Sequence, residues 1–165
     1  MAYSTLPTVV TGADILTSWG NAVKANFDAA FPLGVDGWTA YTPTLVQSGA
    51  VTKTVAYAKY QRVGRLITVN VLLNATGAGT AANEVRVGLP VTAAQASALC
   101  VGSGYLFDSS AALVYKGFVV IDNTSYVTML PSTSTTAGRV GDDTFTAALA
   151  SGDTISLSAV YEAAS

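Results

Sequence analysis

Apolar and polar residues alternate along most of this chain. In 65–75, Ile67, Val69, Val71 and Leu73 fall on one side, and Thr68 and Asn70 fall on the other. A period of two built from β-branched residues is the mark of a half-buried strand. The preceding stretch, 51–63, alternates as well, setting Ala56, Ala58, Tyr60 and Arg62 against Tyr57, Lys59, Gln61 and Val63. Between them Val63-Gly64-Arg65 predicts a tight connection, with Gly64 supplying the positive φ that such turns demand. The pair forms a hairpin with one apolar wall, which needs a second layer to cover it.

From Gly37 onward the same reading repeats. Strands are expected over 38–46, 51–63, 65–75, 83–89, 99–107, 111–121, 125–130 and 153–162. Between them stand Gly77-Ala78-Gly79, Leu89-Pro90, Asp108-Ser109-Ser110, Asp122-Asn123 and Gly152-Asp153, the residues that punctuate turns. Residues 91–98 are Ala-rich and read as one helical turn or an irregular crossover, and 131–141 as the longest polar loop. About eight strands at this spacing predict a mainly β domain over 37–165, a jelly-roll-like β-sandwich.

Ahead of it lie two different segments. Residues 1–14 contain Pro7, Gly12 and scattered Thr and Val without a helical period, and read as an extended attachment arm. Tyr3, Leu6, Val9 and Val10 are the apolar groups that a partner surface would bury. Residues 15–36 carry the one expected helix, over 18–31, with Thr17 as its N-cap and Pro32 and Gly34 as its stop. Leu16, Trp19, Val23, Asn26 and Ala30 follow each other at steps of three and four, the a/d spacing of an oligomer seam. Asn26 would be its polar, register-fixing member. An amphipathic helix lying on its own sheet explains the same spacing.

Composition sharpens the expectation of partners. Only 11% of the 165 residues are charged and the net charge is −2, against roughly 25% charged in ordinary soluble domains. A surface so weakly protected by charge implies an obligate oligomer or an assembly component. No apolar run approaches the ~20 residues that a membrane span requires, and the N-terminus lacks the basic-then-apolar pattern of a signal peptide. Cys100, alone within Ala98-Leu99-Cys100-Val101, reads as a small buried hydrophobe.

The chain has no histidine, so Ser-His-Asp and Cys-His nucleophile systems and His-bearing zinc sites are excluded. Most acids sit at expected turns, where Asp caps backbone groups. Asp142-Asp143 lacks the spacing of a calcium loop, and Gly77-Ala78-Gly79 lacks the Lys and helix of a phosphate loop, leaving a flexible hairpin tip. Lys53, Lys59, Arg62, Arg65 and Arg86 with Tyr57 and Tyr60 form a basic, aromatic cluster. Nucleic acid or an anionic glycan would suit such a cluster, but in an acidic chain without a dense basic face it reads as a solvated sheet face or an inter-subunit ion-pair zone. No catalytic residue, cofactor or metal site is expected.

Gly12, Leu16-Thr17, Asn21, Val23-Lys24 and Asn26 form a pattern that resembles the N-terminal segment of small virion proteins of tailed bacteriophages, notably actinobacterial ones. Residues 38–45, 60–69, 87–91 and 152–162 are similar to the β domain of the same proteins. The resemblance implies a non-enzymatic virion structural protein of the head-decoration, head-fibre, minor tail or tail-fibre type. Homotrimeric assembly is common among such proteins. The expected function is a capsid-surface decoration or head-fibre protein, made in the bacterial host cytoplasm and carried on the virion. Its expected partners are itself and the major capsid protein or another shell or tail protein, without nucleic acid or membrane. The alternative is a tail-associated protein whose exposed loops, such as 132–138, bind a host receptor or glycan.

Overall fold

The computed structural model describes residues 20–26, 37–96, 99–131 and 147–164. The chain divides into two compact units, Met1–Gly37 and Trp38–Ser165, which are taken separately.

In the first unit residues 20–26 are helical, inside the expected 18–31. Gly20, Asn21, Val23, Lys24 and Ala25 are exposed, while Ala22 and Asn26 are half-buried. Of the seam residues only Val23 and Asn26 are therefore visible. Leu16, Trp19 and Ala30 lie outside the described residues, as do Tyr3, Leu6, Val9 and Val10 of the arm.

The second unit is mainly β, as the alternation predicts. Its strands are β1 (Thr39–Ala40), β2 (Leu45–Gln47), β3 (Gly49–Ala50), β4 (Lys53–Val63), β5 (Leu66–Ala75), β6 (Arg86–Gly88), β7 (Cys100–Asp108), β8 (Leu113–Asn123), β9 (Tyr126–Pro131) and β10 (Thr154–Glu162). They form one antiparallel sheet in the order β1-β4-β5-β10-β7-β8-β9-β6-β2-β3. The hairpin expected at Gly64 is present as β4–β5, and Gly64 has a φ of 61°.

The expected strand over 38–46 is instead broken in two. β1 pairs with β4 at one side of the sheet and β2 pairs with β6 near the other. Residues 41–44, with buried Pro43, step across between them. Proline cannot donate to a ladder, so the ladder stops there. Tyr41 N donates to Ala58 O of β4 (3.1 Å), and three residues later Thr44 O accepts from Gly88 N of β6 (2.9 Å). One short segment thus ties both flanks, and the sheet curls on itself.

Inside the curl lies the core. Ile67, Val69, Val71 and Leu73 of β5 meet Ile155, Leu157, Ala159 and Tyr161 of β10 in register, joined by Leu106, Val119, Ile121, Val127, Met129 and Leu45. These are the apolar members of each alternation. Cys100, by contrast, is exposed, which corrects the expectation of a buried thiol. A register shift between Cys100 and Gly102 turns Val101 inward and leaves Cys100 outside.

Two buried polar groups hold the rim. Gln47, fully buried, donates from Nε2 to Asn83 O (3.2 Å) and Ala147 O (3.1 Å) and accepts at Oε1 from Leu149 N (2.8 Å). Tyr161 donates its hydroxyl to Val91 O (2.7 Å) and accepts from Val91 N (3.3 Å), fixing the irregular segment after β6. Burial pushes the Tyr161 phenol up to about 12. Burial raises Tyr41 as well, with Tyr161 adding to it.

These shifts have a sign. Between the ordinary tyrosine value of ~10 and the raised one, the folded protein keeps protons that the unfolded chain has lost. The phenols' contribution is therefore complete below pH ~10 and is lost as pH rises through the folded values. Melting temperature is expected to fall steadily from pH 10 to 12 in thermal melts followed by circular dichroism. Tyr161→Phe should begin lower, by roughly 1 kcal/mol for the lost hydrogen bonds, but decline less steeply over that interval.

Candidate functional site

The outer face of the sheet is built from the other half of each alternation, and pairing register places its residues in rows. One row runs Tyr57, Leu72, Ser156, Tyr105, Lys116 across β4, β5, β10, β7 and β8. The next runs Lys59, Asn70, Ser158, Ser103, Phe118 across the same strands. Small polar residues occupy the middle of both rows and large residues both ends. The result is an open groove of about 790 Å³, floored by Ser103, Ser156, Ser158 and Asn70. Tyr57 and Leu72 wall it on one side, and Tyr105, Lys116 and Phe118 on the other. That volume is within the ~300–1,000 Å³ typical of ligand clefts.

Glycine deepens the floor. Gly104 and Gly117 are cross-strand partners, lie beneath the serines, and belong to the groove lining. A Cβ on Gly104 would stand 2.9 Å from Met129 Sδ and 3.0 Å from Leu157 Cβ on the core side. The close packing beneath Gly104 leaves no room for a side chain there.

The groove is polar at its floor and largely aromatic and aliphatic at its walls. Tyr57, Tyr105 and Phe118 are 42%, 38% and 55% exposed, unusually open for large aromatic groups. Lys59 Nζ sits 5.8 Å from the Tyr57 ring centroid. Among the described residues no carboxylate lines the groove. A second depression of about 440 Å³ adjoins it, lined by Phe107, Val114 and Thr154 and sharing Tyr105 and Lys116 with the first. The two form one track along the sheet, divided by the Tyr105 ring.

The basic cluster expected from sequence is not one site. Tyr57 and Lys59 reach the outer face, but Tyr60 turns inward and meets Tyr41 edge-on at 5.9 Å. Arg65 pairs with Glu162 at 3.2 Å, and Arg86, on β6, pairs with Glu84 at 3.0 Å and Asp122 at 3.2 Å. These ion pairs lie within the chain. The Gly77-Ala78-Gly79 segment is not a free hairpin tip either. Gly77 N donates to Thr52 O and Gly79 N to Leu149 O, and a Cβ on Gly79 would fall on the Gln47 side chain.

Asp108 and Asp153 act as turn caps. Asp108 Oδ1 accepts from Ser110 Oγ (2.7 Å), Ser110 N (2.9 Å) and Ala111 N (3.0 Å). The Ser110 hydroxyl is the main reason its carboxyl is held below the usual range. Asp153, buried, accepts from Ser109 N and Oγ at Oδ1 and from Ala150 N at Oδ2. Among the described residues no three His, Cys, Asp or Glu side chains converge, and Asp142-Asp143 lies outside them. Nor is any described helix long and apolar enough to cross a bilayer.

The class defined here is a mainly β protein with a curled antiparallel sheet and an aromatic-walled groove on its outer face. No protein-family model, curated protein or solved structure matches the chain.

Proposed function

We propose that this is a non-enzymatic structural protein of a tailed-bacteriophage virion, most simply a homotrimeric capsid-surface decoration or head-fibre protein. In this reading the N-terminal arm docks on the major capsid protein or another shell or tail protein. The helix gathers copies, and the curled sheet, a jelly-roll-like sandwich, projects from the particle.

The observation that carries the reading is the helix over 20–26, where Val23 is 38% exposed and no residue is fully buried. Most helical stability in proteins comes from tertiary packing of an amphipathic face. Copies of the same helix, meeting along the Val23–Asn26 edge, supply that packing. The sparse charge of the whole chain agrees with a surface meant to be covered.

Light scattering on purified protein at micromolar concentration should give three times the 16.8 kDa chain mass. A clean monomer overturns the trimer. Antibody labelling of particles under the electron microscope should mark the head, and labelling confined to the tail would select a second reading.

That second reading, a tail-fibre or minor tail protein that binds a host surface receptor or glycan, is favoured by the groove. The loop 132–138, expected from sequence to carry this role, lies outside the described residues. The groove lies on the sheet itself.

A further inference from the structure

We propose that the outer-face groove is an oligosaccharide-binding site, seating a chain of several sugar units over the Ser103–Ser156–Ser158 floor. This deepens the receptor-binding reading and rests on it for its biological setting, though the site is argued from geometry alone.

The walls and floor ask for different chemistry, and a sugar chain has both. A pyranose ring presents apolar C–H faces and a girdle of hydroxyls. Tyr57 stands on one side of the groove and Tyr105 on the other, three strand spacings apart, about 14 Å between backbones. Phe118 follows Tyr105 along the same wall in the next row, about 7 Å further along the strands. Flat aromatic faces placed this way offer stacking surfaces to successive rings.

Between them the hydroxyls of Ser103, Ser156 and Ser158 and the amide of Asn70 make no side-chain hydrogen bond among the described residues, and none of these residues is fully buried. Together they offer both donors and acceptors, the pairing that sugar hydroxyls require. A flat apolar partner covering this face would desolvate all four groups without satisfying them, at a cost. A slender, hydroxylated ligand reaches the floor and satisfies them.

The second depression sets the length. Because it shares Tyr105 and Lys116 with the groove, a ligand can pass over the Tyr105 ring and use both, reaching Thr154 in the next row. A chain of several units is therefore favoured over a single sugar.

The test uses the full-length protein. It is first displayed to an array of bacterial and eukaryotic glycans. Isotope-labelled protein is then titrated with maltohexaose, cellohexaose and chitohexaose, and with whichever array glycan is retained, each beside its disaccharide. At least one chain should shift the amide resonances of Asn70, Ser103, Tyr105, Phe118 and Ser158 together, and should bind at least tenfold tighter than its disaccharide. Phe118→Ala and Tyr105→Ala remove exposed rings, so both should keep the parent melting temperature while weakening binding tenfold or more. Ser156→Ala, which removes the hydroxyl and adds no bulk, should weaken it as well.

Retention of no glycan, or retention unchanged by all three variants, overturns the proposal. Groove resonances that move on dilution of the protein, and not on addition of sugar, place a second copy there and overturn it too. Failure of the receptor reading is seen separately. Sugar binding at the groove by a protein that antibody labelling places away from exposed virion surface leaves the site standing and removes that setting. Attachment to bacterial cells unaffected by Phe118→Ala keeps the receptor role and removes the groove from it.

Discussion

Replacing Gln47 with leucine is expected to lower the melting temperature by roughly 10–15 °C. The side chain is fully enclosed, and its amide serves backbone groups from two segments distant in sequence, Asn83 on one side and Ala147 and Leu149 on the other. Leucine fits the space but satisfies none of them. Each backbone group left dry costs about 1–3 kcal/mol, and some relaxation toward water will recover part of the sum, leaving about 3–4 kcal/mol. Glutamate tests the same point with nearly the same shape. It keeps the acceptor for Leu149 N and loses both donated bonds, and it buries a charge. Thermal and urea melts on both variants check the expectation. An unchanged urea midpoint for Gln47→Leu would mean that the loops carried by Gln47 find other partners.

The second large effect is at Gly104. Valine there must place its Cβ against Ser156 O, Met129 Sδ and Leu157 Cβ. Methionine can swing away, but the Ser156 carbonyl belongs to a central strand and cannot move without shifting the β7–β10 ladder. Overpacking of this kind costs ~1–3 kcal/mol, and a backbone obstacle puts it at the upper end. Gly104→Val should therefore lower the urea midpoint substantially and also raise the groove floor. Fluorescence or calorimetric melts report the first, and loss of groove shape in the amide spectrum around Ser103 and Ser156 reports the second. Full stability with an unaltered spectrum would show that the packing beneath Gly104 yields to a side chain.

What was readable in the sequence follows from the range of each signal. Alternation is local, so the long strands β4, β5, β8 and β10 were legible, as was the turn at Gly64. Pairing is not local. Val46 and Tyr60 stand in one apolar-rich region of sequence, yet β2 and β4 lie near opposite ends of the strand order. Pro43 is the sign in the sequence that a strand over 38–46 must break, because it cannot donate to a ladder. Cys100 was misplaced because a bulge reverses the inside–outside count by one residue and leaves no compositional mark.

The groove was half legible. Thr154, Ser156 and Ser158 alternate with Ile155, Leu157 and Ala159, so a polar outer edge could be seen. That Ser156 would lie between Leu72 and Tyr105 depends on the order β5-β10-β7, which spacing along the chain does not encode. The seam residues Leu16, Trp19 and Ala30 and the arm residues lie outside the described part of the molecule.

The position of β10 governs how the chain can be assembled during synthesis. The last of the described strands is among the innermost in the sheet, pairing on one flank with β5 and on the other with β7. Until it leaves the ribosome, the hairpin β4–β5 and the meander β7–β8–β9 have no shared edge. Each must wait with a strand's hydrogen-bonding groups bare, the condition under which foreign edges join. Wholly non-local closure of this kind is also slow. Copies growing side by side on one message would then hold matching bare edges close together, so the order of synthesis itself sets a hazard of exchanged strands that ends only when Thr154–Glu162 slots home.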